Sequence, residues 1–170
     1  MYQVGDLIFY GNTGVCKVIG ITAREIGKVK YLQDFYILEP IYQQNYTIWA
    51  PVNITKVFMR SIISESEARE LMDMIPSIGT KAYYNGSLSQ LSGHYEAFLK
   101  THDCLDLMKL TISINTKKQV AAKKQRKIGS VDEKYMKRAE DLLFGELAAA
   151  LDVSRNKVAE YITTYYMALS

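Results

Sequence analysis

His94, His102, Asp103 and Cys104 are side-chain types that ligate metals, and they lie close together in sequence. A structural zinc site takes its four ligands as two closely spaced pairs, and no second pair accompanies these residues. Their spacing therefore predicts no metal site. Gly11-Asn12-Thr13-Gly14 has the glycine content of a phosphate cradle, yet no Lys-Ser/Thr follows it. The stretch instead predicts a hairpin turn whose glycines supply positive φ. The chain also lacks a G-x-S-x-G elbow, a P-loop lysine and a G-x-G-x-x-G turn. The expectation is no catalytic residue, no cofactor and no small-molecule substrate: a binding protein rather than an enzyme.

The residues that do form a chemical pattern are basic. The formal charge of the whole chain is only +3, but residues 117–170 hold eleven Lys/Arg against seven Asp/Glu. Most of the excess lies in Lys117–Arg138, where nine basic residues face two acids, Asp132 and Glu133. Phosphate binding depends on charge near the contact, so this local excess matters more than the total. Lys123, Lys124, Arg126 and Lys127 fall at a helix end and in the loop after it. Lys134, Lys137 and Arg138 fall on the next helix. Together they are candidates to track a sugar-phosphate backbone, each neutralised phosphate releasing counterions. Charge alone leaves a second explanation open, a solvated face complementing a helix C-terminus.

An alternative lies further along, where residues 146–160 scan as a helix-turn-helix. Leu151-Asp152-Val153 would form the turn, and Arg155, Asn156 and Lys157 would face base edges in the major groove.

These candidates need elements to position them. The first sixty residues show strand patterns: Leu7–Tyr10, Val15–Ile21, Phe35–Leu38, Tyr46–Pro51 and Val57–Arg60, separated by short polar or glycine-containing turns. Five short strands so spaced predict a small antiparallel β-barrel of the Tudor or SH3-like kind. From Ser64 the period turns helical. Ser64 and Glu67 form the capping-box pattern S-x-x-E, and that helix stops at Pro76. Residues 77–93 suggest a long loop with a helix start inside it, followed by helices over Tyr95–Lys100 and Leu105–Lys124. Ser130-Val131-Asp132-Glu133 has the pattern of a second capping box. In the helix it opens, Tyr135, Met136, Ala139, Leu142, Leu143, Leu147 and Leu151 make one apolar stripe. A last helix is expected from Ser154 to about Ala168. The fold class is thus α+β, a β module over residues 1–62 and an all-α helical bundle over 63–170.

With 48% hydrophobic and 23% charged residues, the 170-residue chain has the composition of a folded protein. No stretch approaches the roughly 18 uncharged apolar residues of a membrane span. The N-terminus lacks the basic and apolar regions of a secretory signal, and Cys16 and Cys104 are too sparse for a disulfide framework. A cytoplasmic chain with free thiols is expected.

The opening Val4-Gly5-Asp6-Leu7-Ile8-Phe9-Tyr10 with Gly14, the segment Thr47-Ile48-Trp49-Ala50-Pro51-Val52, and the helix from Val131 through Ala148 resemble the CarD family of bacterial RNA-polymerase-binding regulators. The likeness extends essentially along the whole chain. It implies an N-terminal module, shared with transcription-repair coupling factors, that docks on the polymerase β subunit. By position, Arg24 and Trp49 match the family's contact sites, with Thr47, Ile48 and Pro51 on the docking strand. Many relatives carry arginine where this chain has Trp49. The helical module of the family touches promoter DNA at the upstream edge of the melted bubble, where a tryptophan wedges into the minor groove. That position falls on Leu91 here and a neighbouring basic position on His94; Tyr83 or Tyr84 are alternative wedges. The resemblance therefore implies two partners, polymerase and promoter DNA, for a monomer that stabilises the open complex without strong sequence specificity.

Overall fold

The turn at Gly11-Asn12-Thr13-Gly14 sets the first hairpin. Gly11 and Gly14 take φ of +45° and +88°, and a Cβ on Gly11 would lie 2.6 Å from the Val57 side chain. Only glycine meets both demands at Gly11. The turn joins β1 (Leu7–Tyr10) to β2 (Gly14–Ile26), which pair antiparallel with Phe9 opposite Val15. A longer hairpin then joins β2 to β3 (Tyr31–Pro40), and β4 (Ile48–Pro51) and β5 (Met59–Ser61) complete the sheet. The computed structural model describes residues 1–53 and 56–168.

The strand order is β4-β3-β2-β1-β5, every neighbouring pair antiparallel. The expected barrel gives way to an open sheet. Closure needs a ladder between the two edge strands, and among the described residues β4 and β5 share none. Strand count does not encode the tilt and stagger that close a barrel, and edge strands of four and three residues offer little ladder for it. Ile19 is the extra residue of a bulge, the register stepping from Val18 opposite Leu38 to Gly20 opposite Ile37. One face of the sheet carries the core of Ile8, Cys16, Val18, Tyr36, Leu38 and Ala50, with Ile48 and Met59 packed against it. Burial pushes the Cys16 thiol up to about 12, so it behaves as a small apolar side chain.

The chain forms two units, Met1–Ile62 and Ile63–Ser170. The second is helical: α1 (Glu65–Met74), α2 (Leu88–Leu99), α3 (Cys104–Lys123), α4 (Ser130–Leu151) and α5 (Arg155–Ala168). Ser64 caps α1 with the reciprocal Glu67 bonds expected from sequence, and Pro76 falls in a 3-10 turn that ends it. α2 begins earlier than its periodicity suggests, because Ser87 accepts from the Gln90 N–H and sets the start. Residues 107, 108 and 110–115 of α3 are all buried, and α4 packs against α1, α2, α3 and α5. α4 is capped one position before the serine: Gly129 is its N-cap, and its N–H donates to Asp132 Oδ2 at 3.3 Å.

Candidate functional site

Alternation along the strands sorts the sheet residues. Trp49 lies opposite Ile37 and Pro51 opposite Phe35, while Phe35 lies opposite Thr22 on β2. Arg24, two residues beyond Thr22, therefore joins Phe35, Trp49 and Pro51 on the face away from the core. There the Arg24 guanidinium lies 4.0 Å from the Trp49 ring centroid. The indole in turn packs edge-on to Phe35, centroids 6.2 Å apart. Phe35 is buried beneath them, whereas Trp49 keeps 38% of its surface exposed. The result is a cation stacked on a half-open aromatic over an apolar floor. Among the described residues β4 pairs only with β3, so its other edge keeps free N–H and C=O groups. Beside Pro51 opens a cleft of about 480 Å³ lined by Tyr10, Tyr31, Gln33, Lys56 and Val57.

In the helical unit the centre of the arrangement is Asp132. Its Oδ1 accepts from the Tyr95 hydroxyl at 2.6 Å and from Lys117 Nζ at 2.9 Å, tying α2 and α3 to the start of α4. The pair is buried, its side chains 13% (Lys117) and 4% (Asp132) exposed. Burial and the bond to Asp132 raise the Tyr95 hydroxyl pKa far above its ordinary value, which keeps it a donor. This hub sets the end of α3 beside the start of α4, and residues 124–129 cross between them in one tight turn. Gln125 adopts φ +53°; its N–H bonds Ala122 O, and the Arg126 N–H bonds Ala121 O. That is a Schellman ending, which satisfies the last carbonyls of α3 and turns the chain back towards α4. Lys123 at the end of α3 and Lys124, Arg126 and Lys127 on the turn are all exposed, and none has an ion-pair partner among the described residues.

The other basic candidates differ. Lys134 is exposed beside the Tyr135 ring. Lys137 is exposed but pairs with Asp141 at 3.2 Å along the same helix. Arg138 donates to Glu96 Oε1 at 2.9 Å, as does the Tyr135 hydroxyl, joining α4 to α2. The Arg138 bond holds the Glu96 carboxyl below its usual range. Arg138 is thus a structural cation more than a free one.

Residues 2–63 match the family described as the CarD-like/TRCF RID domain. The N-terminal unit is a CarD-like RID domain. It points to an RNA-polymerase-interacting transcription factor. The match ends where the helical unit begins, and no curated protein matches the chain. Among the described residues no helix is long and apolar enough to cross a membrane.

On the RID domain, four of the five residues singled out from sequence have outward or edge positions: Arg24, Thr47, Trp49 and Pro51. Ile48 instead packs against the sheet core. Phe35, the floor under Trp49, escaped notice because strand alternation alone does not say that an outer-face aromatic is covered. Outside the RID domain, Leu91 is only 4% exposed on the inner face of α2. A side chain so buried presents no surface to a DNA groove, so the wedge expectation is not met by Leu91 in this conformation. The exposed apolar groups nearby are Tyr84 and Leu88. His94 stacks on Tyr83 with ring centroids 3.6 Å apart, and burial lowers its pKa. Asp103 caps α3 through the Asp106 N–H. In the 146–160 segment, Asn156 and Lys157 are exposed, whereas Glu146 is fully buried and accepts from the Ile63 N–H.

Proposed function

We propose that this chain is a non-enzymatic, cytoplasmic transcription regulator that works as a monomer with two binding surfaces. The RID domain docks on the polymerase β subunit through the outer face around Arg24, Trp49 and Pro51 and the free edge of β4. The helical unit holds promoter DNA through the turn between α3 and α4, without base readout, and so stabilises the open complex. The observation that carries the reading is the Arg24–Trp49 stack on a domain of the RID family. Aromatic and arginine side chains set over an apolar floor are the anchors that dominate protein interfaces. An unpaired strand edge beside them supports docking by strand addition.

On the DNA side the support is electrostatic. Four exposed cations without ion-pair partners among the described residues, at the end of α3 and on the turn hydrogen-bonded to it, provide sequence-tolerant phosphate contacts. Attachment to polymerase would raise the local DNA concentration, so weak contacts suffice. Stabilisation then follows from holding the distorted edge of the bubble, and Leu91 has no part in it.

The test is the lifetime of a promoter open complex challenged with a competitor. Wild type should lengthen it, and reversing Lys123, Lys124, Arg126 and Lys127 to glutamate should remove the gain. An unchanged lifetime with wild type would contradict the reading. Base recognition through residues 146–160 makes a different forecast, one enriched motif in a site-selection experiment on the free chain, where the present reading expects none.

A further inference from the structure

Beside the basic turn lies a cavity of about 260 Å³. Its floor is apolar, from Val120 and Ala121 in the last turns of α3 and Ile128 before α4. Tyr84, from the segment preceding α2, forms a wall and is 60% exposed, its ring 5.1 Å from Lys117 Nζ. Lys124, Arg126 and Lys127 line the same space. The one carboxylate present, Asp132, is already taken up by Lys117, Tyr95 and the Gly129 N–H. Ala121 O and Ala122 O, which would repel an anion, are likewise occupied by N–H groups of the turn. Three cations are left uncompensated around an aromatic wall and an apolar floor.

These features ask for two things in one ligand, a planar apolar face and a phosphate. Duplex DNA offers phosphates but keeps its base faces stacked inside. An unpaired nucleotide offers both, and aromatic platforms beside basic grooves are how single strands are held. The cavity lies just below the range of about 300–1,000 Å³ typical of whole-ligand pockets. It suits one nucleotide's worth of a longer strand better than a complete cofactor.

We propose that this cavity seats a single unpaired nucleotide of a DNA strand. The base lies on Tyr84 over Val120 and Ile128, and the flanking phosphates lie on Lys124, Arg126 and Lys127. The inference rests on the reading of the helical unit as DNA-binding and sharpens it: the unit prefers a fork, where duplex meets single strand, to duplex alone. Such a preference places the chain at the edge of a bubble without any wedge from Leu91.

The experiment is a fluorescence-anisotropy titration of the full chain against three probes: a blunt duplex, the same duplex with a single-stranded tail, and one whose tail is abasic. The two tails carry equal phosphate, so their difference isolates the base. The normal tail should bind at least about fivefold tighter than the abasic one, the low end for one stacked base. Tyr84→Ala should remove that gain and Tyr84→Phe keep it. Equal affinity for the two tails, or a gain that survives Tyr84→Ala, would overturn the nucleotide seat. Salt-dependent binding of all three probes alike would leave the DNA reading standing and remove only the seat, whereas no binding to any probe removes both. A free mononucleotide that saturates the cavity, with no preference for tailed DNA, would assign it to a small ligand and overturn the strand assignment.

Discussion

The Arg24 guanidinium and the Trp49 indole, from strands β2 and β4, are stacked 4.0 Å apart across the intervening β3. Two residues separated in sequence thereby become one surface feature, with Phe35 of β3 as the floor between them. An exposed cation–π contact contributes about 0.5–1 kcal/mol. In a double-mutant cycle of Arg24→Ala and Trp49→Ala, stability should show a coupling of about that size. Each single variant should weaken polymerase capture and leave the affinity for free DNA unchanged. Chemical denaturation and anisotropy check the two halves of the forecast.

Binding to duplex DNA should fall steeply with salt. If about four phosphates are neutralised by Lys123, Lys124, Arg126 and Lys127, the log-log slope should be about −3 to −4. Each charge removed should lower the slope by about one unit. Removing Arg138 should change it much less, because that guanidinium is bound to Glu96. A slope near zero in wild type would mean that the lysines are only solvated.

The Lys117–Asp132 pair should matter for the helical unit more than any exposed ion pair. Breaking a buried pair from one side leaves an uncompensated charge and costs about 3–5 kcal/mol. Lys117→Met should therefore destabilise strongly, and Lys117→Met with Asp132→Leu should cost less than the two single changes summed. Urea denaturation followed by far-ultraviolet circular dichroism measures both. A milder Lys117→Met than Lys137→Met would contradict the hub role.

His94 sets a pH response. Burial against Tyr83, Tyr95 and Phe98 holds its folded pKa below the ordinary value of 6.5. The unfolded chain therefore takes up the proton first as pH falls. The stability associated with neutral His94 is full above pH 6.5 and is lost as pH drops towards the folded value. His94→Gln should flatten the fall of stability as pH drops below 6.5, and an unchanged slope would rule this group out.

Much of the molecule is legible in the residues, for reasons that differ by element. The expected stripe of Tyr135, Met136, Ala139, Leu142, Leu143 and Leu147 is buried along α4 and Leu151 only partly. Residues 142–148 are buried on every side because α1, α2, α3 and α5 all pack on this helix. The glycines of the first turn announce the β1–β2 hairpin because their backbone angles require them. Sheet closure was not legible, since it depends on stagger, and neither was the bulge at Ile19. The α4 cap moved from Ser130 to Gly129 because Asp132 is the third residue of the helix and bonds back to the N-cap. Leu91 and Arg138 show the limit for the site. Position alone made one a wedge and the other a phosphate contact, while tertiary packing buries the first and pairs the second with Glu96, 42 residues away.

Capture of RNA polymerase by the immobilised chain, wild type against Arg24→Glu, tests the central claim most directly. The wild type should retain polymerase through its β subunit, and the variant should lose it while binding free duplex DNA as before. Failure of the wild type to retain polymerase, or equal loss of polymerase and DNA binding in the variant, would contradict the division of labour between the two units.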